Sequence, residues 1–291
     1  MLLSASAGGV IGGVLIEESF SVLRALPHGR QTARDRVREH GGSETTNDVA
    51  TIMATISHWD QHFAVLTEAQ DGTLSLRLEV DRAGVQRFYE DRVRAELIEA
   101  AHGLKKVQTP WYSLNESIGD VYRMPAGQRG HSRVAVVFPA WTDGIIGEIL
   151  WEPHFTEPRP DWRVEAQVAD RLDVFEAAWR TGDVETMLEQ TGDETFGVMR
   201  VAEVGGDRRE RTVARSRAEL RAAWTAAASA RIADLALTNR VVTQFYAFAS
   251  YRLIIEQAGR RAERELALML PVGRDGRFIG EFSYALEVGL G

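Results

Sequence analysis

Apolar residues at helical spacing open the main part of the chain. Val49, Ile52, Met53 and Ile56 fall at i, i+3, i+4 and i+7, with Thr45 or Thr46 as a cap. After a less regular stretch the spacing predicts a long helix over 84–101. Val85, Phe88, Tyr89, Val93 and Leu97 line one side of it, and Gly103 ends it. The period then drops to two, which predicts strands over 107–112, 118–124, 134–138 and 145–151, with a hairpin turn at Asp143-Gly144. Pro153, Pro158 and Pro160 exclude a helix there and mark a linker. The order then restarts. Val168, Leu172, Phe175 and Trp179 form a helical stripe, Thr181-Gly182-Asp183 breaks it, and a second helix is predicted over 217–230. Strands are predicted over 241–248, 251–257, 265–271 and 278–287, with Arg274-Asp275-Gly276 as the last turn. Each half reads as helices followed by a meander of antiparallel strands, an α+β arrangement.

Specific residues recur as well. Pro139-x-x-x-Asp143-Gly144-x-x-Gly147-Glu148 returns as Pro271-x-x-x-Asp275-Gly276-x-x-x-Gly280-Glu281. Tyr122-Arg123 is echoed by Tyr251-Arg252, and Asp48, Asp60 and Val65 are echoed by Asp170, Asp183 and Leu188. The reading is one fold of about 120 residues used twice. It divides the chain into an extension (1–44), a first domain (45–153), a linker (154–165) and a second domain (166–291). Each curved sheet has helices on one face and must cover the other, so the two halves are expected to pack sheet to sheet as a dimer within one chain.

Two phrases carry a family resemblance: "AAWRTGDVETML" at 177–188 and "DRAGVQRFYEDRV" at 81–93. With the terminal Asp-Gly hairpins, they resemble the nuclear transport factor two-like superfamily, which includes the SnoaL-like polyketide cyclases. The resemblance implies two tandem cone-shaped domains, each with helices packed on a curved antiparallel sheet. Its members include isomerases, epoxide hydrolases, dehydratases, cyclases and non-catalytic binding or assembly domains, so it does not choose a function. The Arg-x-Asp pattern of the epoxide hydrolases is missing from the candidate pocket strands. A SnoaL-type base would be an acidic residue on a late strand, which by element points to Glu148 and Glu281.

Composition narrows this little. The net charge of −8 argues against a nucleic-acid partner. With no cysteine, thiol chemistry and disulfides are excluded, and only Lys105 and Lys106 are available for a Schiff base. The glycine-rich residues 1–16 lack a basic leader and are too short a run for a membrane span. The expectation is a cytoplasmic protein without membrane contact, cofactor or metal. It would bind a small apolar oxygenated ligand and could form further homo-oligomers.

The candidate chemistry is concentrated in the first half. Glu148 shares a strand face with Ile146 and Leu150 by alternation. Among aliphatic neighbours it would be a base of raised pKa; at the seam it would pair with an arginine. Glu281 shares a face with Ile279 and Ser283 in the same way. Asp60 is a second carboxylate, and Tyr122 is a hydroxyl able to polarise a substrate oxygen or simply to pack. His58, Tyr112, Asn115 and Trp141 are candidate substrate contacts. His58 and His62, four apart, would share a helix face suited to a metal, an acid–base role, or ordinary packing at a helix end. The resulting expectation is a pocket protein, either a cofactor-free acid–base isomerase, dehydratase, hydratase or cyclase, or a non-catalytic binding or assembly protein.

Overall fold

A computed structural model describes residues 40, 48–94, 98–123, 129–141, 144–155, 165–203 and 208–290. The expected extension apart from His40, the Pro158 and Pro160 part of the linker, and Asp143 of the first turn lie outside these residues. The first half contains α1 (Val49–Ala54), β1 (His62–Glu68), β2 (Leu74–Glu79), α2 (Arg82–Arg94), β3 (Ile98–Gln108), β4 (Tyr112–Arg123), β5 (Arg129–Trp141), β6 (Gly144–Ile145) and β7 (Gly147–Phe155). The second contains α3 (Glu165–Thr181), α4 (Val184–Glu189), β8 (Thr191–Glu203), β9 (Arg209–Ala214), α5 (Arg217–Ala227), β10 (Arg231–Val242), β11 (Tyr246–Gln257), β12 (Arg260–Pro271) and β13 (Phe278–Leu290).

The strands form two mixed sheets. One has seven strands in the order β2-β1-β7-β5-β4-β3, with β6 on β5; the other has six, in the order β10-β11-β12-β13-β8-β9. Read from the opposite end, the second order matches the first strand for strand. In each, the first strand pairs parallel to the last, β1 with β7 and β8 with β13.

Local chemistry repeats with the topology. Asp48 caps α1 by accepting from the Ala50 amide and the Thr51 hydroxyl. Asp183 caps α4 by accepting from the Thr186 amide and hydroxyl. The partner of Asp48 is therefore Asp183, not Asp170 as the sequence echo suggested. Arg82 binds the carbonyls of Met53 and Ile56, while Arg217 binds those of Thr191 and Gly192. Each arginine ties its helix to backbone at the end of the short helix or just beyond it.

Several predicted boundaries move. The helix expected over 84–101 ends at Arg94, and Ile98 begins β3; pairing with β4 overrides the helical spacing. The strands expected over 107–112 and 241–248 are each interrupted. The Thr109 hydroxyl accepts from the Trp111 and Tyr112 amides, and the Thr243 hydroxyl from those of Phe245 and Tyr246. Each threonine thereby builds a turn before the next strand. Tyr122 and Tyr251 lie on corresponding strands but not at corresponding places. Tyr112 opposes Pro139 as Tyr246 opposes Pro271, which sets Tyr251 five residues into its strand and Tyr122 ten.

Buried apolar residues gather in three clusters. One packs α1 and α2 on the first sheet through Ile52, Phe63, Val85, Phe88, Tyr89 and Leu150. Another packs α3, α4 and α5 on the second sheet through Leu172, Phe175, Leu188, Leu220 and Trp224. The third lies between the sheets and draws on both, with Trp111, Tyr112 and Trp151 from one half and Phe245, Tyr246, Phe282 and Tyr284 from the other. Polar bonds cross this seam. The Trp151 indole donates to the Phe245 carbonyl at 2.9 Å, and the Tyr246 hydroxyl to Glu116 at 2.9 Å. Among the described residues no helix is long and apolar enough to cross a membrane.

Candidate functional site

The Gly-Glu repeat places one glutamate inside each half. In β13 the register slips between Phe278 and Gly280, and the first half is interrupted at Ile146, between β6 and β7. Each irregularity turns the strand by one residue. Ile146 and Ile279 therefore face the seam. Glu148 and Glu281 face the helices, so the alternation that grouped them with those isoleucines fails. Glycine is needed at both points because the parallel neighbour comes close. A Cβ on Gly147 would lie 2.8 Å from the His62 carbonyl oxygen. Gly280 has φ +135° and leaves no room for a Cβ against the Phe196 carbonyl.

In the second half the glutamate lines a cavity of about 570 Å3, partly enclosed between the sheet and the helices. That is within the size range of small-molecule sites. Met199, Val201, Leu253, Leu266 and Ala285 form the sheet side. Trp179, Met187 and the alanine-rich end of α5 form the helix side. The space exists because α5 presents small residues, Ala223, Ala226 and Ala227 among them. Glu281 accepts from the Trp224 indole N–H at 2.6 Å and from the Ser283 hydroxyl at 2.8 Å. Burial raises its pKa above the ordinary glutamate value, and the two donors oppose the rise. The arrangement is a carboxyl held in one orientation in a chamber with both apolar and polar walls. Thr212, Gln257, Glu210 and four arginines, Arg264 among them, add polar groups to the lining.

In the first half Glu148 is 1% exposed and accepts from the Tyr89 hydroxyl at 2.7 Å. The Tyr89 oxygen is 3.0 Å from His40 Nε2, and His40 Nδ1 is 2.6 Å from the Thr55 hydroxyl. Burial pushes His40 down to about 4, while the charge of Glu148 pulls it upward. The group lies on the helix side, away from the seam.

The remaining sequence candidates scatter. Asp60 is buried at the seam, where it accepts from Arg200 Nη2 at 2.9 Å and from the Tyr284 hydroxyl. Tyr112 also lies at the seam and donates to the Glu265 carbonyl. Asn115 is half-buried on β4 and accepts from the Ser113 hydroxyl. Trp141 stacks on Trp111 at 5.3 Å, with Trp59 tilted beyond it at 6.0 Å. His58 is exposed in the turn after α1, whereas His62 begins β1, so no helix face joins them. Burial and the neighbouring Arg200 lower His62 to about 4. Among the described residues no group of three or more His, Cys, Asp or Glu is placed to hold a metal. The side chain of Tyr122 lies outside the described residues. Asp60 and Glu148 thus occupy opposite faces of the first sheet.

Sequence reasoning missed His40 and Trp224, and placed Ser283 beside Glu281 without giving it a role. A signal existed for the last two: Ser283 follows Glu281 at i+2, and Trp224 stands as far from Tyr89 as Arg217 does from Arg82.

No family model and no curated protein matches the chain. Solved structures align with less than half of it. An NTF2-like protein from Burkholderia xenovorans LB400 is 13% identical over 41% of this chain and 89% of its own, with a TM-score of 0.33. An LEH-like epoxide hydrolase of M. tuberculosis is 13% identical over 41% of this chain and 83% of its own, with a TM-score of 0.32. A protein from work on de novo design of diverse pocket structures is 13% identical over 40% of this chain and 97% of its own, with a TM-score of 0.34. At this level of similarity none of them carries an argument about this chain.

Proposed function

We propose that the chain is two nuclear transport factor two-like cones in tandem, 45–153 and 166–291, joined as a pseudo-dimer, and that the second cone holds a small, mostly apolar, oxygenated molecule. The matching strand orders and the paired caps, arginine ties and helix-facing glutamates support the tandem reading. The observation that carries the ligand reading is the cavity of about 570 Å3 with half-buried Glu281 in its wall. A carboxyl of raised pKa is suited to exchanging protons near neutrality. Glu281 would take a proton from carbon beside a ligand carbonyl and return it elsewhere, the proton balance of an isomerisation, dehydration or cyclisation. Trp224 and Ser283 hold the carboxyl in one orientation for that exchange. Non-catalytic binding is the second reading, favoured because both Glu281 oxygens already accept bonds inside the protein.

The test uses thermal unfolding with a panel of small ketones, lactones and epoxides, each beside a hydrocarbon of equal size. Oxygenated members should stabilise the wild type and lose that effect in Ala223→Phe, which fills the chamber. Stabilisation that survives Ala223→Phe places the ligand elsewhere and refutes the site. Among stabilising compounds, Glu281→Gln should keep binding and remove turnover if the site is catalytic. Binding without turnover in the wild type selects the second reading.

A further inference from the structure

The positions around Glu148 and Glu281 correspond, but their chemistry differs. His40, Tyr89 and Glu148 in one half match Phe175, Trp224 and Glu281 in the other. His40 meets Tyr89 edge-on at 5.9 Å and 71°; Phe175 meets Trp224 edge-on at 5.6 Å and 69°. Tyr89 and Trp224 each donate one bond to their glutamate. The second half therefore shows what the fold requires here: one aromatic ring, and one ring bearing a donor. Phenylalanine meets the first requirement without a titratable group.

The first half goes further and buries three titratable groups in a row, with His40 0% and Tyr89 2% exposed. The Thr55 hydroxyl donates to the Ile52 carbonyl at 2.7 Å, so it receives its bond from a hydrogen on His40 Nδ1. The other ring nitrogen faces the Tyr89 oxygen, and Tyr89 faces Glu148. Such a line costs desolvation that an apolar ring avoids.

We propose that His40, Tyr89 and Glu148 form a buried proton-transfer line in the first half, separate from the Glu281 site. One proton crosses in two linked hops. The Tyr89 hydroxyl passes its proton to Glu148 Oε2 as His40 Nε2–H passes its own to the Tyr89 oxygen. Imidazolium and carboxylate become imidazole and carboxylic acid, and Tyr89 ends as it began. The rings of Phe63, Phe88 and Phe138 surround the line and favour the neutral pair. Charges on the neighbouring described elements include Arg77 and Arg92 against the Phe88 ring, with Arg77 paired to Glu79 and Asp91, and Arg82, which is turned to backbone carbonyls. The inference stands whether or not Glu281 turns a substrate over.

The test follows the His40 ring nitrogens by NMR through an acid titration of the full chain, with the Glu148 carboxyl stretch followed by infrared. In the wild type both signals should change together. Glu148→Gln should lower the His40 midpoint by about one pH unit or more, since the glutamate charge holds it up. Tyr89→Phe should separate the two signals into independent steps. His40→Phe and Tyr89→Trp install the residues of the other half and should leave the melting temperature equal or higher. An unmoved His40 midpoint in both Glu148→Gln and Tyr89→Phe overturns the proposal. So does marked destabilisation by both His40→Phe and Tyr89→Trp, which would make the line a structural requirement.

Discussion

Where α2 carries Phe88, packed against Phe63 and Tyr89, α5 carries Ala223, which faces the cavity. Where β1 carries Phe63, β8 carries Gly197; each lies opposite the helix-facing glutamate on the parallel neighbour. Two phenylalanines in one half thus stand against an alanine and a glycine in the other. Strand order, caps and arginine ties are common to both, so the backbone does not explain the contrast. Side-chain volume at a few helix-facing positions does, because a close-packed interior turns each missing ring into space.

The sharpest way to break the comparison is at the glycines. Gly280→Ala should be the most damaging change, since a Cβ there meets both a positive φ and the Phe196 carbonyl. Urea unfolding should show a loss of about 4 kcal/mol or more. Gly147→Ala has no positive φ to oppose it and should cost clearly less. Equal losses would mean that the positive φ at Gly280 adds nothing to the cost.

At the seam, Leu66 and Arg200 occupy corresponding positions, and Arg200 holds buried Asp60. Arg200→Leu copies the first half but strands a buried carboxylate, a loss of about 3–5 kcal/mol by urea unfolding. Asp60→Asn in the same chain should recover most of it. No recovery would mean that the arginine acts through packing instead of charge.

Exchanging volume tests the cavity itself. Phe88→Ala should cost about 3–5 kcal/mol, as expected for emptying a packed core. Ala223→Phe should shift stability by less than about 1 kcal/mol, since it enters existing space. Similar costs for the two changes would show that the chamber cannot accept a ring.

The smallest expected effect is a pH dependence. Burial raises Glu281 above its unfolded value, so its stabilising contribution is complete in acid, below the unfolded pKa. It is lost as pH rises through the folded value. Glu265, pushed up to about 7, contributes with the same sign, so Glu281→Gln should flatten the fall without abolishing it. An unchanged pH profile in Glu281→Gln would remove Glu281 as a source of the slope.

Part of this was readable in the chain. The Pro, Asp-Gly and Gly-Glu repeats marked corresponding strands because turns and close backbone contacts demand particular residues. The helix stripes at Ile52 and Leu172 were equally plain. The edge strand β2 was overlooked although Leu74, Leu76 and Leu78 alternate, and β8 was hidden by the irregular start of its sequence. The orientation of Glu148 and Glu281 could not be read by counting, since one displaced residue reverses every later side chain. The bond from Trp224 to Glu281 and the line from His40 to Glu148 join elements far apart in sequence, which periodicity cannot register. The two histidines spaced for a helix proved to straddle the start of a strand.

The parallel pairing of first and last strands also sets a timetable for synthesis. The first sheet can close around β1 once β7 has emerged, near residue 155. The second cannot insert its central strand until β13 is made, near residue 290. During that interval a nascent chain carries a finished first sheet whose seam face, with Trp111 and Trp151, has nothing to cover it. Such a surface is a natural client for a holding chaperone and a point of aggregation when translation stalls.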